Sequence, residues 1–412
     1  MYEYIHEFRD SALGMAVHWG LYSQVGEGEW SRHMKPMGLE EYGELAKTFT
    51  AEDFDARGWA KLAKRAGMKF IMLTTRHHDG FSLYDTKGLN EFDAPHSAAG
   101  RDLIAEFVEG CRAEGISPFF YHTTMDWWWK GKKTWNITKE EFDEYLDYLN
   151  ASVEILCKNY GEIGGFIFDG HWCRPDMDWK DSRLYGMIRS LQPNAIIMNN
   201  TGLASNGVLT HEEIDAVTFE QYEVKSVSFD REKPVASMRW QTTNMHWGVG
   251  KRDLCFKSPA EIIEGFCDTR RHGAVNVINI GPEAQGAVQP MDRCLLELLG
   301  VWMDCYAEAV RGTTPSKAVC HDKDYILENE KHGYYLCYNL GITGHEDVTQ
   351  LDTTEGPRGI QGLKKKIKKI EWMDNGEELQ FTQNGDLAVF EATGFAYGEN
   401  MAVRVARIHF ED

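Results

Sequence analysis

Short apolar runs recur along the first three hundred positions: Leu13–His18, Phe70–Thr74, Pro118–His122, Gly165–Asp169, Ala195–Asn199, Ala216–Phe219, Val235–Trp240 and Ala274–Asn279. Between them lie stretches whose apolar residues return every three or four positions, among them Asp55–Ala66, Leu103–Glu114, Glu140–Cys157, Ser182–Leu191 and Pro259–Arg271. A continuous apolar run suits a strand buried on both faces, and the longer period marks an amphipathic helix. The punctuation agrees: Ser258-Pro259 offers an N-cap before a first-turn proline, and Gly115 and Gly273 follow helix ends. Strand–helix alternation repeated about eight times predicts a parallel sheet, and eight units favour closure. The expected fold is α/β, a (β/α)8-like TIM barrel.

The pattern changes after Thr314-Pro315. Short alternating runs follow at Tyr325–Leu327, Tyr334–Tyr338, Ile367–Trp372, Leu387–Phe390 and Met401–Phe410, with hairpin signals at Asp374-Asn375-Gly376 and Gln383-Asn384-Gly385. These predict a C-terminal antiparallel β-sandwich, so the expected domains are a catalytic barrel over 1–314 and a sandwich over 315–412.

Composition narrows the partners. Sixty-four Asp and Glu against 44 Lys and Arg give a net charge of −20, which repels phosphate backbones and anionic lipids. Nucleic acid and membrane are therefore not expected partners, and no apolar run reaches the ~18 residues of a membrane span. The single basic run, Leu363–Ile370, is expected to be a strand with a basic solvent face. Nine cysteines form no C-x-x-C pair, which suits neither a disulfide framework nor a thiolate zinc site. The first residues carry Glu3, Glu7 and Asp10 where a secretory leader needs a basic segment and then an apolar one. The expected location is cytoplasmic, and a homo-oligomer is compatible with this organisation.

Candidate chemistry gathers at the C-terminal ends of the runs, where a barrel of this kind builds its site. The residues there are His18-Trp19, His77-His78-Asp79, His122, Asp169, Asn199-Asn200, Glu220 and Trp240-Gln241. Asp169 ends a strand and is followed by Gly170, which leaves room for a ligand beside the backbone. It could serve as a nucleophile, a metal ligand or a helix N-cap. Glu220 ends a strand two units further on, and two such carboxylates can converge across a sugar ring as nucleophile and acid/base. Glu223 is a rival for the second role. Neighbouring His77 and His78 cannot both face one ion, and no HExxH or comparable set accompanies them, so neither a metal nor an organic cofactor is expected. Neutral imidazoles can instead read hydroxyl groups. Trp19, Trp30, Trp127–Trp129, Trp172, Trp240 and Trp247 supply flat apolar faces suited to a pyranose, and the three consecutive tryptophans cannot all point inward.

Several of these segments are similar to signatures of one family. Gly14-Met-Ala-Val-His-Trp-Gly-Leu-Tyr-Ser23, Leu73-Thr-Thr-Arg-His-His-Asp-Gly-Phe81, Phe168-Asp-Gly170, Asn279-Ile-Gly-Pro282 and Tyr306–Pro315 resemble, in order, the α-L-fucosidases of glycoside hydrolase family 29. The resemblance implies a barrel with a C-terminal sandwich and retaining hydrolysis of terminal α-L-fucosides from oligosaccharides or glycoconjugates. It implies Asp169 as nucleophile and Glu220, on a looser match, as general acid/base. His18, Glu29-Trp30, His77-His78 and Tyr121 match substrate-binding positions, and Trp240 joins them from the mouth aromatics. Three departures bear on the departing group: Ile167 stands where the family often has Trp, Trp240-Gln241 replaces Trp-Glu, and Met198–Thr201 lacks an arginine found in some members. Three rivals stay open: an enzyme restricted to α-1,3/1,4-linked fucose, a catalytically inactive fucose-binding barrel, and a metal-dependent hydrolase.

Overall fold

The computed structural model describes residues 2–35, 37–225, 227, 231–343 and 355–411. Contacts divide the chain into two units: one runs to Phe256 and adds Val275–Glu297, and the other comprises Lys257–Ala274 and the chain from Leu298 onward.

The first unit holds a closed barrel of β1 (Leu13–Val17), β2 (Phe70–Arg76), β3 (Ser117–Thr123), β4 (Gly165–Asp169), β5 (Ile196–Asn200), β6 (Ala216–Glu220), β7 (Ala236–Thr242) and β8 (Val275–Ile280). Every neighbouring pair is parallel, and β8 closes on β1 with Leu13 opposite Asn276 and Val17 opposite Ile280. The eight apolar runs are these strands, shifted by a residue or two at their ends.

Side chains alternate across a strand, and here the alternation separates two cores. Ala16, Met72, Tyr121, Ile167, Met198, Met238 and Val277 point inward and fill the barrel. Between them Phe120, Phe166 and Phe168 point outward, with Phe166 5.7 Å from Phe120 and Phe168 5.9 Å from Tyr185 of the helix Asp181–Leu191. The helix Glu3–Ser11, which the hydrophobic pattern did not predict, closes the floor: Phe8 sits 5.6 Å from the Phe70 ring and 5.8 Å from Phe119. The helix Lys139–Asn159 opens on a capping box between Thr138 and Glu141.

The second unit carries two antiparallel sheets. One runs in the order Val319–Cys320, Gly356–Gln361, Leu387–Ala392, Phe381–Asn384, and the other Ile367–Trp372, Arg404–Phe410, His332–Cys337, Tyr325–Glu328, Thr314–Pro315. Tyr335, Ile360, Ile370, Trp372, Phe390 and Ile408 form their shared core. The predicted hairpin at Asn384-Gly385 joins paired strands with Asn384 opposite Leu387. Only the second half of the basic run is a strand: Leu363–Lys366 lies outside it, and Ile367–Trp372 forms an edge strand whose Ile367 and Ile370 face inward, with Lys368 exposed on that edge, where charge discourages pairing with another chain. The helix Pro259–Arg270, with its Ser258–Glu261 capping box, groups with the sandwich. There Tyr325 donates to Cys267 O at 2.5 Å and Tyr338 to Asp268 at 2.9 Å. Among the described residues no helix is long and apolar enough to cross a membrane.

Candidate functional site

Two positions beyond the last inward apolar residue of a strand comes the next inward side chain, and these side chains make the barrel mouth. His18 follows Ala16, Asp169 follows Ile167, Asn200 follows Met198 and Asn279 follows Val277, while on β6 Glu220 shares the inward parity of Ala216, four positions earlier. Parallel register sets Asp169 level with Thr123 on β3 and Asn200 on β5. A cavity of about 700 Å³ opens here, lined by His18, Trp30, His77, Asp169, Trp172, Asn200, Glu220, Trp240 and Trp247 among others.

Asp169 accepts from four side chains. Tyr121 Oη donates to Oδ2 at 2.7 Å, where His78 Nε2 also approaches to 3.3 Å. The Trp172 indole donates to Oδ1 at 2.8 Å and Asn200 Nδ2 at 3.1 Å. Burial alone would raise this carboxyl, but the bonds from His78, Trp172 and Tyr121 hold it below its ordinary value and keep it ionised.

Glu220 has the opposite environment. Burial and then the charge of Asp169 push its carboxyl up to about 7. The same Asn200 nitrogen that touches Asp169 lies 2.8 Å from Glu220 Oε2. This shared donor caps the gap between the two carboxylate oxygens at the length of two hydrogen bonds, compatible with the ~5–5.5 Å at which a carboxylate pair works by retention. A pair of carboxyls driven to opposite protonation states can divide into a nucleophile and an acid. Glu223, the rival by sequence, is exposed and does not line the cavity.

The histidines separate into different tasks. Asn279 donates its Nδ2 to Trp247 O at 2.7 Å, so its Oδ1 must accept from His18 Nδ1 at 2.6 Å. Burial lowers His18 to about 4, so it is neutral at ordinary pH and presents Nε2 as an acceptor. His77 lines the cavity, and burial together with His78 and His18 holds it well below the usual imidazole range. His78 turns toward Asp169, with Nδ1 2.6 Å from the Thr123 hydroxyl. Among the described residues no three His, Cys, Asp or Glu side chains group to hold a metal ion.

The aromatic expectations divide in the same way. Trp30 stacks on Trp172 at 5.9 Å with an 8° interplanar angle, and Trp240 leans on Trp247 at 4.8 Å. Of the three consecutive tryptophans, Trp127 and Trp129 are buried and Trp128 is half-buried, so the run does reach the surface. Glu29 stands back from the cavity lining. Its Oε2 accepts the backbone N–H groups of Trp247 at 3.1 Å and Gly248 at 2.8 Å, which sets the segment that carries Trp247.

Gly170 has a structural role of its own. Beside room for a ligand, the backbone itself requires this glycine: it sits at φ +127°, and a Cβ there would lie 2.9 Å from Thr124 Oγ1 and 3.0 Å from the Met125 nitrogen. The glycine lets the chain turn tightly under the β3 loop. Two residues central to the geometry stood in the sequence without a role: Asn200 as a polar strand-end position and Asn279 as the start of a family-like segment. Their partners come from neighbouring strands, and register was the one signal that would have joined them.

The profile of the α-L-fucosidase family matches residues 2–308 of this chain. Tissue α-L-fucosidase of Mus musculus is 25% identical over 339 residues, covering 75% of this chain and 71% of the mouse protein. The solved α-L-fucosidase isoenzyme 1 of Paenibacillus thiaminolyticus is similar with a TM-score of 0.83 and 27% identity over 100% of both chains. A family 29 α-L-fucosidase of Bacteroides thetaiotaomicron, trapped as a covalent intermediate with 2-fluoro-fucosyl fluoride, shares the fold with a TM-score of 0.81 at 21% identity, covering 100% of this chain and 96% of that one.

Proposed function

This chain belongs to the α-L-fucosidase family, and from that premise we propose that it is a retaining exo-α-L-fucosidase with Asp169 as nucleophile and Glu220 as acid and then base. The observation that carries the assignment is the Asn200 bridge between an ionised Asp169 and a Glu220 that holds its proton up to about 7.

In the first step an Asp169 oxygen bonds to the anomeric carbon while the bond from that carbon to the aglycone oxygen breaks. The Glu220 proton passes to the departing oxygen. With Asp169 now a neutral ester, Glu220 loses its like-charged neighbour and is better able to remain ionised, as a base requires. Water then attacks the anomeric carbon, Glu220 takes its proton, and Asp169 leaves as a carboxylate. Tyr121, His78 and Trp172 hold Asp169 in line through the bonds described above. His18 Nε2 accepts from a sugar hydroxyl and His77 contributes a second neutral imidazole. Trp30 and Trp240 offer apolar faces to the ring, and Glu29 acts by fixing the Trp247 segment. The substrate is a fucosylated oligosaccharide or glycoconjugate. A cytoplasmic setting belongs to the same reading, supported by nine free thiols of which Cys111, Cys157, Cys267 and Cys337 are packed in cores.

The test is release of p-nitrophenol from its α-L-fucoside by the wild type and by Asp169→Ala, with azide supplied to the variant. The expected result is wild-type turnover, a variant slowed roughly 10⁴-fold or more, and rescue to β-fucosyl azide. An Asp169→Ala enzyme that keeps most of its activity would remove the nucleophile assignment. No turnover on this substrate or on a fucosylated Lewis-type oligosaccharide would remove the fucosidase reading.

A further inference from the structure

The cavity around Asp169 and Glu220 is built by two different sets of elements. Its inner half comes from strand ends and the segment beyond β7: His18, His77, Trp240 and Trp247. Its outer half comes from two loops, one after β4 and one after β5, which contribute Trp172, Pro175, Trp179, Leu203, Ala204 and Val208. The second loop is tied directly to Glu220, whose backbone N–H donates to Asn206 Oδ1 at 2.8 Å. An acid that protonates a departing oxygen must face the departing group, so the group that leaves passes along this outer half.

Two properties of the outer half limit what that group can be. First, it keeps apolar surface in the open: Leu203 is 56% exposed, Val208 49% and Trp172 36%, in a chain of net charge −20. Exposed apolar surface gathered at the rim of a polar cleft marks a binding surface. Second, the described residues that line the cavity include no lysine or arginine, while Asp169 and Asp181 are acidic and Glu220 adds an uncharged carboxyl in its acid form. His171, which lines this half, is already engaged, since its Nε2 lies 2.9 Å from Asp181 Oδ1. A sulfate or carboxylate on the leaving sugar would meet like charge and find no cation.

We propose that the outer half of the cavity, formed by Trp172, Leu203, Ala204 and Val208, is the aglycone site, that it takes a neutral sugar through that sugar's apolar face, and that it rejects aglycones carrying a negative charge. The proposal rests on the fucosidase reading above and adds the class of leaving group.

The test compares kcat/KM on two disaccharides, α-L-fucose joined to a neutral hexose and the same compound with a sulfate on that hexose. Wild type should prefer the neutral compound by at least ~10-fold. The double variant Leu203→Lys/Val208→Lys, at two exposed positions whose folding is checked by Tm, should lose rate on the neutral compound and narrow the preference several-fold. A fucose-shaped iminosugar, which fills only the inner half, reports that half separately by its inhibition constant. Equal kcat/KM on the two disaccharides, or a preference that the double lysine leaves in place, overturns the aglycone assignment while leaving the fucosidase reading intact. Absence of turnover on both disaccharides and on the aryl fucoside overturns the reading beneath it.

Discussion

Two aspartates stand at opposite ends of the barrel, both almost wholly enclosed. Asp215, just before β6 at the floor, is 0% exposed, and Asp169, ending β4 at the mouth, is 8% exposed. Their company differs in kind. Asp215 meets Arg189 Nη2 at 2.7 Å and Lys233 Nζ at 2.8 Å, and it also accepts from Tyr4 Oη at 3.0 Å and from the Ile197 N–H at 2.9 Å. Among the described residues the Asp169 carboxylate accepts from tyrosine, tryptophan, asparagine and histidine, and from no lysine or arginine. A carboxylate locked to two cations cannot give up its charge without breaking two ion pairs. A carboxylate held by polar donors can become an ester and return. The floor site ties the N-terminal helix to β5 and β6, and the mouth site keeps a charge that the reaction can spend.

The comparison can be broken from either end. Asp169→Ala should remove turnover as described above yet leave Tm close to wild type, whereas the reverse holds at the floor. The next largest effect is at the proposed acid: Glu220→Gln should lose ~10²–10⁴-fold in kcat/KM on a glycan with a poor leaving group. It should lose far less on an activated aryl fucoside, whose oxygen departs without a proton. The wild-type profile sharpens this point. The acid must hold its proton, so kcat/KM should fall as pH rises through about 7, and Glu220→Gln should lack that alkaline limb. Equal losses on both substrates would move the acid elsewhere.

At the floor, Asp215→Ala takes the buried carboxylate from Lys233 and leaves Arg189 with Glu213 at 3.2 Å as its acidic partner, and should cost about 3 kcal/mol in urea unfolding. Its kcat per folded molecule should stay near the wild-type value. A variant that folds normally but turns over poorly would erase the contrast between the two ends. The smallest effect is expected at Tyr121→Phe. Tyr121 donates to the ionised form of Asp169, so its removal raises that carboxyl, and the acidic limb of kcat/KM should move up by roughly one pH unit. An unmoved limb would leave the tyrosine a purely steric role.

The sequence carried the barrel further than it carried the site. Strands β1 to β8 were legible because burial on both faces makes each an unbroken apolar run, a signal that needs no partner to be read. The helix Glu3–Ser11 was not legible, since only Ile5 and Phe8 are buried and two apolar residues give no period. In the sandwich, Gly356–Gln361 is absent from the predicted runs, because two glycines and a proline hide its alternation, and it becomes a strand by pairing with Leu387–Ala392. At the site, Asp169 and Glu220 could be picked from position alone. Glu29 could not be placed behind Trp247, nor could Asn200 be set between the carboxylates, because those relations run between segments far apart in the chain. The tie from Asn206 to Glu220 was hidden for the same reason.

One feature of the mouth bears on how such a chain tolerates change. Thr123, Asp169 and Asn200 lie on a single rung of the barrel, level across β3, β4 and β5. Along a strand, inward and outward positions trade places at every step, so deleting one residue within Gly165–Asp169 would turn the aspartate toward the helices and bring Phe168 to the centre. The loops after β4 and β5 obey no such parity: they can lengthen, shorten or change composition while the rung stays level. The chemistry is thus written in counted positions and the choice of leaving group in uncounted ones, so insertions and deletions have a route to new substrates that does not pass through loss of the reaction.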